Sequence, residues 1–241
     1  MLMRNIIIVL ICFAVFLSSC EFMGGKRVNG NGVTSTQQRN TGDFNGVDVS
    51  GPIKVFISQD SVSSVKIEGD ENLLEYIEVD NNGDNLEIRT RRGYNLRPRT
   101  GIKIYVTAPS FDKLAVTGSG ELKTQTKISN VKNMDVSVTG SGDMILDIDA
   151  PAINSEITGS GNITINGGTR SFSTEVTGSG EVHAFNLLSE STNVEITGSG
   201  DVEVFASKQL KINISGAGDV KYKGNPTVSQ SVAGSGNIRK I

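Results

Sequence analysis

Cys20 is the residue whose surroundings specify a chemistry most sharply. It follows Leu17, Ser18 and Ser19 at the end of an unbroken apolar run from Ile6 to Leu17, with Arg4 ahead of it. A positive start, an apolar segment within the ~7–15 residues of a signal-peptide core, and small residues before a cysteine form the pattern in which the thiol is diacylated and becomes the first residue of the mature chain. The run is shorter than the ~20 residues a bilayer-spanning helix needs. The sequence therefore predicts a signal peptide over residues 1–19 and lipidation at Cys20. More than one acyl chain anchors stably, which a single chain does not. Cys12 lies inside the apolar run and leaves with it, so the mature chain has no thiol pair for a disulfide.

A second candidate is a run of cations. Arg89, Arg91, Arg92, Arg97 and Arg99 put five of the ten arginines into eleven residues, with Tyr94 among them. Guanidinium groups at this density suit an anionic partner such as a phosphorylated lipid headgroup or an acidic glycan. The plainer reading is a solvated hairpin whose charges pair with acids elsewhere in the chain. Two further sets carry chemistry less specifically. Glu121, Asp143, Asn162, Glu181, Asp201, Asp219 and Asn237 recur at matching places and suggest either a calcium-type oxygen ladder, or stacked carboxylate pairs such as Asp201 and Asp219, or ordinary turn residues that bond their own backbone. His183, with Glu181 on its face, is the lone histidine, so zinc hydrolase sites built on two or three histidines are excluded. No metal site and no cofactor is assigned. A formal net charge of −3 and a pI near 5.3 argue against a nucleic-acid partner.

The elements that must position these residues are read from a repeat. Seven peptides of the type Val-Thr-Gly-Ser-Gly-Asp follow one another, their first glycines being Gly118, Gly140, Gly159, Gly178, Gly198, Gly216 and Gly234, spaced by 22, 19, 19, 20, 18 and 18 residues. That period suits one coil of a stacked solenoid and is too short for a propeller blade of ~40 residues. Apolar residues alternate on one parity through each motif, as in Val194, Ile196, Val202 and Val204, and the same parity becomes glycine at Gly198 and Gly200. The prediction is an all-β, single-stranded parallel β-helix in which G-S-G is a corner and the Thr and Ser columns face outward. Residues 43–115 form an N-terminal β part continuous with the seven-fold repeat of 116–241. Within it, Asp70 is placed to cap a short helix over residues 71–77. Residues 81–85 signal a hairpin. Ser50-Gly51-Pro52 reads as a degenerate first corner with Pro52 at the second glycine. Residues 21–42, rich in Gly, Asn, Thr and Gln, read as a flexible tether reaching on the order of 25 Å. At the far end Lys221, Lys223, Arg239 and Lys240 are placed to guard the last coil by charge, the alternative being a homo-oligomer through that edge.

The ordered set of Asp43-Phe44, Val55-Phe56-Ile57, Asn72-Leu73-Leu74, Leu86-Glu87-Ile88, Ile104-Tyr105-Val106-Thr107-Ala108-Pro109 and the repeated T-G-S-G-[DE] corners resembles the bacterial head GIN domain family of autotransporter-adhesin type, common in Bacteroidetes. The resemblance covers residues 43–241. It implies a right-handed β-helix and a cell-envelope protein, lipid-anchored or secreted, with no established enzymatic activity; it supplies no functional residues. Two departures are Ala217 in the sixth corner and Pro52 in the first. The function expected is a noncatalytic adhesion or scaffolding module, lipid-anchored at the outer membrane, with the membrane and an envelope glycan or other polyanion as partners. The alternative is a carbohydrate-active β-helix enzyme, a lyase or hydrolase.

Overall fold

A computed structural model describes residues 25–129 and 132–241. The segment expected to be a signal peptide, Cys20 and the first residues after it lie outside the described residues. Alternating apolar residues bounded by Gly, Asn and Ser produce short strands throughout. The N-terminal part holds β1 (Lys26–Asn29), β2 (Thr34–Arg39), β3 (Gly46–Ser50), β4 (Lys54–Gln59), β5 (Ser64–Asp70), a 3₁₀ helix (Glu71–Tyr76), β6 (Ile77–Asn82), β7 (Asn85–Thr90), β8 (Tyr94–Arg97) and β9 (Lys103–Ala108). The repeat holds β10 (Lys113–Gly118), β11 (Glu121–Thr124), β12 (Ile128–Ser129), β13 (Met134–Gly140), β14 (Asp143–Gly159), β15 (Asn162–Gly178), β16 (Glu181–Ala184), β17 (Leu187–Gly198), β18 (Asp201–Phe205), β19 (Gln209–Gly216), β20 (Asp219–Lys223), β21 (Thr227–Gly234) and β22 (Asn237–Lys240).

These strands stack in parallel into a β-solenoid of about six turns. Strands entering the corners pair in the order β7, β3, β10, β13, β14, β15, β17, β19, β21. Strands leaving them pair in the order β9, β4, β11, β14, β15, β16, β18, β20, β22. β14 and β15 are long enough to serve both faces. Register is residue for residue, so like stacks on like at ~4.8 Å. Val116, Val138, Ile157, Val176, Ile196 and Ile214 form one buried column, and Leu122, Met144, Ile163, Val182, Val202 and Val220 another. The N-terminal end closes by a switch to antiparallel pairing: β6 on β7, β5 on β9, and β2 on β5. In β21, over which no further strand lies among the described residues, Val232 is 41 % exposed. Of the four cations expected there as guards, Lys221 reaches Glu203, Lys223 sits over the Phe185 ring at 4.4 Å, and Lys240 reaches Asn225.

The two glycines of a corner are required for different reasons. The first has a positive φ, +126° at Gly159 and +121° at Gly178, a region in which L side chains are strained. The second has ordinary φ but no room. A Cβ on Gly142 would stand 2.5 Å from Val116 Cγ1 and 2.9 Å from the Gly120 carbonyl oxygen of the preceding coil. Between them the amide of the middle residue donates to the first glycine's carbonyl one coil back: Ser141 to Gly118, Ser160 to Gly140, Ser179 to Gly159, each at 2.8 Å. The bond needs no side chain, which explains Ala217: its amide donates to Gly198 in the same way.

Three expectations are corrected. Residues 26–29 and 34–39 of the supposed tether are strands. Their polar composition says nothing about backbone pairing, and both find a partner: β1 runs parallel to β8, with Val28 level with Leu96, and β2 lies along β5 over six residue pairs. Second, the pairing of Ser50 with Thr117 and of Lys54 with Glu121 puts Pro52 level with Ser119 and Ile53 level with the second glycine. Ile53 is 1 % exposed and fits there because the preceding coil leaves its corner route and runs out through β8. Third, the helix after Asp70 is a 3₁₀ turn ending at Tyr76, and the Asp70 side chain makes no cap to it. The hairpin forms as read, with Asn82 opposite Asn85 and Gly83 at φ +73°.

The division of labour at the corner gives a testable asymmetry. Gly159→Val should lose several kcal/mol, since a central coil must absorb a wrong φ and added volume against the Gly140 carbonyl. Ser160→Val, exposed on the outer side, should change stability by under ~1 kcal/mol. Equal shifts of the two urea midpoints would contradict this structure of the corner.

Candidate functional site

β8 carries the distal part of the arginine run and is bound to the body at both ends. The β1/β8 ribbon packs Val28 and Leu96 against the core. At its far end the chain turns back through residues 30–33 and 98–101, and Asp70 ties both turns. Its Oδ1 accepts the amide of Gly32 at 2.7 Å; its Oδ2 accepts the amides of Arg99 at 2.8 Å and Thr100 at 3.1 Å. Asn72 adds a second tie, accepting from the Asn31 amide and donating to the Asn29 carbonyl, both at 2.9 Å. Asp70 is fully buried and forms no ion pair with a described residue. Burial pushes its carboxyl up, and the amides of Thr100, Gly32 and Arg99 more than offset this, so it titrates below the usual carboxylate range.

The five arginines divide into two groups. Arg89 donates to Glu78 at 3.0 Å and to Asp80 at 3.1 Å, and has Glu87 within 3.6 Å. Arg91 donates to Glu78 at 3.3 Å and to the Glu75 carbonyl at 2.8 Å, with its guanidinium 5.5 Å from the centre of the Tyr76 ring. The hydrogen bond from Arg89 holds Glu78 below its ordinary value against the opposing effect of burial. The hairpin supplies these acids, since β6 lies directly beside β7. Arg92, Arg97 and Arg99 are exposed and form no ion pair with a described residue. Arg92 overhangs a groove of about 580 Å³ between the ribbon and the Ser50–Pro52 corner, lined also by Arg89, Tyr94, Leu96 and Ile102. Arg27, which the sequence reading passed over, pairs in register with Asn95 and is also exposed.

The other candidates sit elsewhere. The residues after the corners do stack: Glu121 opposite Asp143, Asp143 opposite Asn162, Asn162 opposite Glu181, Glu181 opposite Asp201. Four of them have one oxygen bonded within the stack. Glu121 accepts from Lys54, Asp143 from Asn162, Asp201 from the Asp219 amide and Asp219 from the Asn237 amide. Among the described residues no group of three or more His, Cys, Asp or Glu side chains is placed to hold a metal ion. His183 meets Glu181 and Glu203, each at 3.2 Å, and Glu203 also meets Lys221 at 3.2 Å. Burial alone would raise Glu203, but the hydrogen bonds from His183 and Lys221 outweigh it and hold the carboxyl low. Glu203 lies one coil beyond His183, so the coil period could have found it. Thr117, Thr139, Thr158, Thr177, Thr197 and Ser215 form an outward column in register.

Similar coils in register, outward hydroxyl columns and one basic ribbon define a class: a parallel β-solenoid. The chain belongs to the family described as putative auto-transporter adhesin, head GIN domain, whose match runs over residues 43–226. No curated protein matches it. Among solved structures, one from Parabacteroides distasonis ATCC 8503 described as a putative lipid binding protein is 28 % identical, with a TM-score of 0.76 over 90 % of this chain and 100 % of that one. A putative adhesin from Bacteroides fragilis NCTC 9343 shares the fold at a TM-score of 0.84 and 22 % identity, covering 89 % of this chain and 100 % of that one. A second Parabacteroides distasonis structure, also described as a putative adhesin, has 25 % identity and a TM-score of 0.73 over 90 % and 100 % of the two chains.

The Asp70 tie predicts a pH dependence. Because its folded value is depressed, the stability it contributes is present at neutral pH, above the unfolded value near ~4, and is lost as pH falls through the lower folded value. Asp70→Asn keeps the shape but sets an amide donor against backbone donors, so it should lower stability at pH 7 by about 2 kcal/mol. Urea unfolding below pH 5 should then bring wild type and variant together. Curves that stay parallel down to pH 2 would show that the carboxylate charge is not what holds the ribbon.

Proposed function

We propose that this chain is a noncatalytic module of the bacterial cell envelope that adheres to or scaffolds envelope components through the outer faces of its solenoid. The observation that carries the reading is repetition. Successive coils present the same hydroxyl column and the same corner residues in strict register, which suits an extended ligand with a repeating surface. Membership of an adhesin-type family supports it. The relatives are described as adhesins and a lipid binding protein, and the enzyme alternative finds no support among them. In the repeat no carboxylate pair stands apart: Asp201 and Asp219, the pair singled out for acid–base work, are joined by a hydrogen bond from the Asp219 amide to Asp201.

In the same reading Cys20 carries the lipid and fixes the module to the outer membrane, with an envelope glycan or another polyanion as a further partner. Among the described residues no helix is long and apolar enough to cross a membrane, and an acyl anchor requires none. The adhesion reading predicts retention of an envelope polymer on a glycan and envelope-polymer array, with the polymer recovered intact. A cleaved product would replace it with the enzyme. For the anchor, labelled palmitate should enter the chain in a bacterium and Cys20→Ala should abolish the label; unchanged labelling would exclude acylation at this cysteine.

A further inference from the structure

The β1/β8 ribbon is charged on one side. Val28 and Leu96 face the core, so alternation turns Arg27 with Asn95, and Asn29 with Arg97, to the opposite face. Arg92 stands in the turn that enters β8 and Arg99 in the loop that leaves it, and both are exposed. Residues 25–42 and 89–103 together hold nine of the chain's 23 basic residues and none of its 26 acids. Arg89 is paired with Glu78, Asp80 and Glu87, and Arg91 shares Glu78; Arg27, Arg92, Arg97 and Arg99 make no ion pair with a described residue. The Asp70 and Asn72 ties hold this face in one orientation at the first coil, the opposite end of the stack from β21 and β22.

The chain's own dimensions say what lies opposite. Lys26 is six residues from Cys20, a reach of at most ~20 Å even when fully extended. A bilayer holding acyl chains on Cys20 is therefore close to the ribbon. The attraction of arginines to anionic headgroups acts within a Debye length of the surface, ~8 Å at 0.15 M salt, and so short a connection lets the ribbon settle into that layer. Guanidinium groups suit phosphate because they offer paired donors. We infer that the β1/β8 ribbon is the membrane-facing surface of this protein: Arg27, Arg92, Arg97 and Arg99 bind anionic phosphate headgroups of the bilayer that holds the anchor, and the coils project away from it. This rests on the lipidation proposed above.

The test uses the mature acylated protein inserted into phosphatidylcholine vesicles with or without phosphatidylglycerol, each with a quencher lipid labelled at the headgroup. A fluorophore is placed through Asn95→Cys, and in a second sample through Ser229→Cys in β21. Acylation occupies the Cys20 sulfur, so a chain that stays out of the vesicles and labels at Cys20 overturns the anchor reading by itself. With the anchor in place, phosphatidylglycerol should increase quenching at position 95 by about twofold or more. Salt at 1 M, where the Debye length is ~3 Å, should abolish the increase. So should replacement of Arg27, Arg92, Arg97 and Arg99 by Gln, whereas replacement of all four by Lys, which keeps the charge but loses the paired donors, should preserve part of it. The label at position 229 should not respond in any of these conditions. Quenching at position 95 that is indifferent to phosphatidylglycerol, salt and the four Gln replacements, or that is weaker than at position 229, overturns the inference.

Discussion

The structure depends on backbone meeting backbone at the corners without a side chain between. From the second G-S-G corner onward the middle amide reaches the first glycine's carbonyl one coil back, and the second glycine lies where even a methyl group would strike that coil. A bulky residue would lift one coil off the next and break the ladders on both sides of the bend. The corner thereby sets the spacing of the sheets that flank it. The residue-for-residue register, the buried columns of Val, Ile, Leu and Met, and the outward columns of Thr and Ser all follow from it.

That register also sets where the acids after the corners lie. A carboxylate repeated every coil has its neighbour's amide or side chain at hydrogen-bond distance, and one of its oxygens accepts along the stack, as between Asp143 and Asn162 or Asp201 and Asp219. Asymmetry arises where the coil pattern breaks, in the excursion between β7 and β9. There the ribbon is held by a buried carboxylate accepting three backbone amides, and four arginines are left without acidic partners among the described residues. The repeat supplies extended surface, and the interruption supplies a distinct charged end.

How much of this was legible in the sequence follows from the range of the forces involved. The corners could be read because they are local: a glycine pair, its flanking alternation and a period of 18 to 22 residues are all visible along the chain. The hairpin at residues 82–85 could be read for the same reason. β1 and β2 could not, because what orders them is pairing with residues 26 to 68 positions away and not their own apolar content. Asp70 looked like a helix cap because Ser, Thr, Asn and Asp before a helix usually are; the amides it serves belong to loops distant in sequence. The arginine cluster was seen as one unit, and the structure splits it. Arg89 and Arg91 lie across from acids of the preceding strand, while Arg27 joins the others only through parallel pairing with β8. The placement of Pro52 one position off came from reading a degenerate corner by its glycine alone.

Hydrogen exchange at the corner amides reaches the central claim most directly. If backbone stacking at the corners holds the coils together, the amides of Ser160, Ser179 and Ser199 should exchange only through global unfolding, as slowly as those of the buried residues Ile163 and Val182, although the serine side chains are exposed. Exchange at the rate of an open surface turn, with Ile163 and Val182 still protected, would show that the side-chain columns hold the stack and that the glycine corners merely accommodate it.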